Sequence, residues 1–188
     1  MMEKRMKIHF VTTNKNKFRE AKEILAPLED TQIKQAKVKI LEIQSMDAKK
    51  IVEDKAKKAY EKLKKPVIVE DTSLHIRSWK NFPGPFIAWV VKTIGIDGVC
   101  RMVGLDKKAR AEAYVAYYDG KKMRIFSGSI DGRIARKPKG KRRFDWDRIF
   151  IPAGHSKTFA EMKIEDKNRI SHRMKAFVKL RNYLAAGI

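Results

Sequence analysis

The feature that most constrains this chain is a change of period near its start. Ile8-His9-Phe10-Val11 is a short apolar run, and after it Phe18, Ala21, Ile24, Leu25 and Leu28 recur at helical spacing. A buried strand followed by an amphipathic helix is the building unit of α/β folds, and the turn between the two commonly seats a ligand. Here that turn reads VTTNKNKF, residues 11–18. Hydroxyls, amides and ammonium groups at a helix N-terminus suit a phosphate, because the free N–H groups and the helix dipole already favour negative charge there. Neither G-x-x-x-x-G-K-[ST] nor G-x-G-x-x-G occurs, so side chains would have to hold such a phosphate. The same residues also read as an ordinary capped helix with surface lysines.

The rest of the chain extends the pattern. Residues 32–43 read as an extended segment, Asp47 to Leu63 as a long helix, and PVIVED as an apolar strand running into two acids. The spacing predicts a helix from Phe86 to Ile94 and a second short one from Asp97 to Val103. AEAYVAYYDGKKMRIFSGSIDGRI alternates, and its Asp119-Gly120 step is a hairpin turn signal. At the end, Ser171 reads as an N-cap, Ala176, Phe177, Leu180, Tyr183 and Leu184 as one helical face, and Gly187 as the stop. This order predicts one α/β domain over residues 1–188, a mixed, twisted sheet flanked by helices, with ligand binding between its helix-rich first half and its antiparallel strands.

Composition narrows the setting. With 188 residues, 43% of them hydrophobic, the chain can bury a core without covalent help, and Cys100 is its single cysteine. No internal disulfide is possible, no apolar run is long enough to span a membrane, and the expected setting is the reducing cytoplasm. Lys+Arg 44 against Asp+Glu 22 gives a net charge of +22, which implies polyanionic partners. On the helix from Asp47 the lysines fall opposite the apolar face and read as solvated. ARKPKGKRRF, residues 135–144, reads as a basic loop serving nucleic acid, a nucleotide or solubility.

Three further stretches carry chemistry. In VIVED, Glu70 and Asp71 end an apolar strand, but neighbours on a strand point to opposite sides, so both reach one site only if the strand breaks at Asp71. One acid would then serve magnesium and the other a water; a capping acid is the plainer reading. In RFDWDRIF, Phe144 and Trp146 beside Asp147 can stack on a purine and accept from its ring N–H, or form a buried strand with Trp146 in the core. EDKNRISHR brings Lys167, His172 and Arg173 to the last helix. Two such cations at a helix start oppose its dipole, which calls for an anion or acceptor nearby.

Taken together, FVTTNKNKFREAKEIL, LEIQ, VEDTSLHI, FPGPFIAWVVKTIG, FDWDRIFIPAGHSKTFAEM and EDKNRISHR resemble, in this order, the motifs of the inosine triphosphate pyrophosphatase family, from about Lys7 to Leu184. The resemblance implies an α/β fold with an elongated, mixed, twisted sheet in two lobes and a central nucleotide-binding cleft, in a homodimeric, Mg2+-dependent hydrolase converting ITP, dITP and XTP to the monophosphate and pyrophosphate. By position, Thr12, Asn14 and Lys17 would hold the triphosphate, and Glu42, Glu70 and Asp71 the metal, with Asp71 as base and Lys17 as its catalytic partner. Phe144, Trp146, Asp147, Lys167, His172 and Arg173 would form the base and ribose pocket. The chain departs from the family's D-S-G-L at Asp71-Thr72-Ser73-Leu74, and from F-G-[YW]-D-P at Phe144-Asp145-Trp146-Asp147-Arg148. The rival reading is a basic protein of the same fold that binds nucleotides or nucleic acid with little or no hydrolysis.

Overall fold

The first strand, β1 (Met6–Val11), gives way at Asn14 to helix α1 (Lys15–Leu25), which leads into β2 (Thr31–Ala36). The extended reading of residues 32–43 holds only as far as Ala36; residues 37–47 have no regular structure. Helix α2 (Ala48–Leu63) starts on the Asp47 side chain, which accepts from the N–H of Lys49 at 2.9 Å, and stops where Lys64 turns left-handed at φ 51°. Strand β3 (Val67–Ile76) and the short β4 (Pro83–Gly84) follow, then α3 (Ile87–Met102). Gly95 interrupts α3 with φ 71° and ψ 164°, the boundary between the two helices expected from spacing. The alternating region forms β5 (Lys108–Tyr118) and β6 (Met123–Ile134), joined by a turn in which Asp119 Oδ1 accepts from the N–H groups of Lys121 and Lys122. Strand β7 (Phe150–Pro152), helix α4 (Ile164–Ile170) and helix α5 (His172–Ala185) complete the chain. This computed structural model describes residues 5–141 and 145–187, and for Asp145 the backbone alone. Phe144 lies outside the described residues.

The seven strands form one mixed sheet in the order β2-β1-β3-β5-β6-β7, with β4 beside β3. β1 runs parallel to both β2 and β3, whereas β4 on β3 and β7 on β6 are antiparallel. The connection through α1 steps to one side of β1 and that through α2 to the other. Right-handed crossovers then place the two helices on opposite faces. The packing agrees: Ile8, Phe10, Ile68 and Val115 meet α1 and α5 through Ala21, Ile24, Phe177 and Leu180, while Val67, Val69 and Ala116 meet α2 through Val52, Ala56 and Ala59.

By contacts the chain falls into two compact units. The first comprises Met1–Asp71, Ala113–Gly128 and Arg173–Ile188; the second comprises Thr72–Glu112 and Ser129–His172. The second unit has its own core, in which Leu74, Ile76, Val99 and Val103 pack with Ile134, Phe150 and Phe159. Among the described residues no helix is long and apolar enough to cross a membrane.

The lysines of α2 are not all simply solvated. Lys58 Nζ donates to Leu41 O at 3.0 Å, Lys62 Nζ to Lys39 O at 2.9 Å, and Lys55 Nζ to Glu42. Spaced along one helix face, these three hold the irregular segment that carries Glu42, so part of the cationic excess serves the fold itself.

Candidate active site

The strand order reverses at β1, so the crevice rule for open α/β sheets points to the carboxyl ends of β1 and β3. The registers His9 with Val67 and Phe10 with Ile68 set the carboxyl end of β1, which continues into Thr12–Lys17, beside the first half of β3, where Glu70-Asp71 follow. Asn14 is the N-cap of α1: its Oδ1 accepts from Asn16 N at 2.9 Å and Lys17 N at 3.2 Å, and Thr12 Oγ1 accepts from Asn14 N at 3.1 Å. Both readings of this turn therefore apply to the same residues. The oxygens serve the cap, while the Thr12 hydroxyl hydrogen and the Asn14 amide N–H2 keep their capacity to donate.

β3 does not break at Asp71; it is continuous from Val67 to Ile76. The expectation that a break would turn both acids to one site is corrected by the pleat. Glu70 shares the α1/α5 face with Ile68, and Asp71 shares the α2 face with Val67 and Val69. On its face Glu70, buried, accepts at Oε1 from Arg173 Nε at 2.7 Å, and its Oε2 lies 3.9 Å from Lys17 Nζ. Arg173 donates through a second nitrogen to Glu20 at 2.5 Å. Burial pulls the Arg173 guanidinium down, but Glu70 and Glu20 outweigh it, and its protonated form is reinforced. These carboxylates are the acceptors that a cation at the start of α5 called for. They also place Arg173 with the acids of the first unit.

Asp71 has a buried Oδ2 with no hydrogen-bond partner. Burial pushes its carboxyl up to about 6, against the pull of Lys17 and Lys55, with Glu42 and Glu70 adding to the push. Burial likewise lowers the Lys17 ammonium; Glu70 opposes this, and Arg173 and Lys55 reinforce it. A carboxylate raised toward neutrality beside a lysine lowered from its usual range is the environment of acid–base chemistry.

The second unit gathers the aromatic set. Trp146 lies in a 3-10 turn, Asp145–Arg148, rather than in a strand, but it is in the core as the plainer reading had it, with 9% of its surface exposed. Its ring lies 5.3 Å from that of His172, tilted by 33°, and meets Phe150 edge-on at 6.1 Å. Asp147 and Lys167 form a buried ion pair at 2.6 Å, and Lys167 Nζ sits 5.6 Å from the centre of the Phe159 ring. Trp146, Asp147, Lys167 and His172 thus come together in one unit as expected.

The Ham1 family model matches residues 8–183, nearly the whole of both units. The chain belongs to the Ham1 family. The dITP/XTP pyrophosphatase of Thermococcus kodakarensis is 40% identical over 181 residues, covering 95% of this chain and 97% of its own. The inosine triphosphate pyrophosphatase of Schizosaccharomyces pombe is also 40% identical over 181 residues, with 94% of each chain covered. Among solved structures, a HAM1 protein from Coxiella burnetii superposes with a TM-score of 0.83 at 26% identity, covering 97% of this chain and 100% of that one.

In this Ham1 chain, no group of three or more His, Cys, Asp or Glu side chains forms a ready metal cage among the described residues. Glu42 is engaged by Lys55, and Glu70 Oε1 by Arg173. Yet Glu70 Oε2 is a buried carboxylate oxygen without a hydrogen bond, the hard donor that magnesium takes when phosphate oxygens and water supply the rest, so it fits that ion. Glu20 and Lys55 were not singled out from the sequence, although Glu20 left a signal: a lone carboxylate beside Ala21 on the apolar face of α1, one helical turn from Lys17.

Proposed function

We propose that this Ham1 protein hydrolyses ITP, dITP and XTP to the nucleoside monophosphate and pyrophosphate. The buried Asp71 carboxyl, raised toward neutrality, and the buried Lys17 ammonium, lowered from its usual range, carry the chemistry, and the substrate class follows from full-length similarity to enzymes named for it. A water oxygen bonds to the α-phosphorus while the bond from that phosphorus to the bridging oxygen breaks, and pyrophosphate departs with its electron pair. Asp71 accepts the water's proton at its unpartnered Oδ2, and Lys17 faces the charge that develops on the leaving group. Thr12 and Asn14 donate to phosphate oxygens. Magnesium, when bound, would neutralise phosphate charge, with Glu70 Oε2 as the open atom to hold it.

In the second unit, Trp146 and His172 suit a purine, and an imidazole N–H donor favours a 6-oxo group over the 6-amino group of adenine. Arg173, engaged by two buried carboxylates, supports the polyphosphate end rather than reading the base. The test is pyrophosphate release from ITP, XTP, GTP and ATP at equal concentration, with magnesium and with a chelator. ITP and XTP should exceed ATP by orders of magnitude, and chelation should abolish turnover. Equal rates on all four would refute the substrate assignment, and undiminished turnover in chelator would refute the metal. We also propose a homodimer, supported by large apolar side chains left exposed in the second unit, among them Trp89 at 61% and Leu105. Light scattering at micromolar concentration should give twice the monomer mass of 21.8 kDa.

A further inference from the structure

In the second unit, the face of β3, β5 and β6 turned away from the core carries a basin of about 660 Å³. Alternation builds it: Leu74 and Ile76, Ala109 and Ala111, and Ile134 point into the core, so His75, Lys108, Arg110, Glu112, Asp131 and Arg133 point out. Its acids are already engaged. Asp131 takes Arg110 through two bonds, at 2.7 and 3.3 Å, and Glu112 lies 3.4 Å from His75, whose imidazole beside it holds that carboxyl below its usual range.

The ladder then leaves a mismatch. Ile134 N donates to Lys107 O at 2.8 Å, and Arg110 pairs with Asp131, contacts that belong to one antiparallel register. In that register Lys108 stands directly opposite Arg133. Like charges directly across a ladder are destabilising, and among the described residues the ion pairs around the basin, His75–Glu112, Arg77–Asp106 and Arg110–Asp131, include neither of them. Apart from the His75 imidazole no side chain lining the basin is aromatic, and none is an aliphatic group larger than alanine, so its character is cationic and polar.

We propose that this basin is an anion site for an inorganic oligophosphate, with Lys108 and Arg133 each taking one phosphoryl group of a pyrophosphate unit. Opposed residues on a ladder stand about 5 Å apart, the reach of two linked phosphoryl groups, and guanidinium and ammonium donors suit their oxygens. The site shares no residue with the Asp71 and Lys17 set and does not depend on the proposed hydrolysis.

The test uses the full chain with Lys17→Ala to silence the other phosphate site, in chelator and at constant ionic strength. Titration calorimetry with pyrophosphate should show one binding event, weakened at least ~10-fold when Lys108→Glu is added. Without ligand, Lys108→Glu should raise Tm by relieving the repulsion, which shows that loss of binding is not loss of fold. Absence of binding in Lys17→Ala, or undiminished binding with Lys108→Glu, would overturn the proposal. So would equal affinity for inorganic phosphate, which has no second phosphoryl group, or binding of a 20-nucleotide single-stranded DNA that pyrophosphate fails to displace.

Discussion

Burial holds the Asp71 carboxyl up to about 6 even though Lys17 and Lys55 favour its ionised form. As the proton acceptor it must be ionised, so kcat/KM on ITP should fall as pH drops through about 6 and be flat just above it. The effect on stability has the opposite sense. A carboxyl raised from 3.8 to about 6 binds its proton more tightly in the folded chain, so the associated stability is present at low pH and lost as pH rises through that interval. Asp71→Asn should therefore abolish turnover while raising unfolding free energy at pH 7, by at most about 2–3 kcal/mol. Turnover within a few-fold of the parent would show that another group takes the proton. A pH–rate profile and urea melts of the two proteins measure both effects. Ser73, which stands where the resembled motif D-S-G-L has glycine, has a buried hydroxyl with no hydrogen-bond partner. Continuous β geometry there shows that the strand does not require glycine's conformational freedom.

At the scale of elements, α1 serves fold and site through the same cap. Asn14 gives its oxygen to the first turn and keeps its N–H2 for an acceptor. Asn14→Asp should keep the cap, leaving Tm nearly unchanged, yet raise KM for ITP by placing a carboxylate against phosphate. Asn14→Ala should lose about 1 kcal/mol of stability as well. Thermal melts and steady-state kinetics on both variants separate the two roles; an Asn14→Asp protein with parental KM would remove this residue from the phosphate site. The loop after β6 shows another element-level constraint. Gly140 sits at φ 83°, and a Cβ there would come within 2.5 Å of the Ala160 backbone, so this residue of the basic loop is set by close chain approach and not by charge.

For the whole molecule, a net charge of +22 means that the folded state works against its own repulsion. Ion pairs such as Lys57 with Glu53 are outnumbered by lysines with no acid, and lysine clamps such as those of α2 on residues 39–42 use carbonyls, leaving the charge in place. Tm should therefore rise as sodium chloride goes from about 0.02 to 0.3 M, where screening shortens to a few ångströms. A falling Tm over that range would mean that attractive pairs, such as the buried Glu20–Arg173–Glu70 set, dominate instead.

What the sequence determined by itself was local. Strand and helix periods, the Asn14 and Asp47 caps, the Asp119-Gly120 turn and the break between the two α3 helices all follow from residues within a few positions of each other, where propensity and turn chemistry act. The motif order sufficed for the family because it spans almost the whole chain. Helix α4 escaped because its seven residues are too few to establish a period. Tertiary structure alone decided which charges meet: Arg173 finds Glu70 103 residues away and Glu20 153 away. It also decided that an unbroken β3 sends Glu70 and Asp71 to opposite faces. The physical reason is that a carboxylate's partner and pKa depend on desolvation and on charges across the core, which no spacing along the chain encodes.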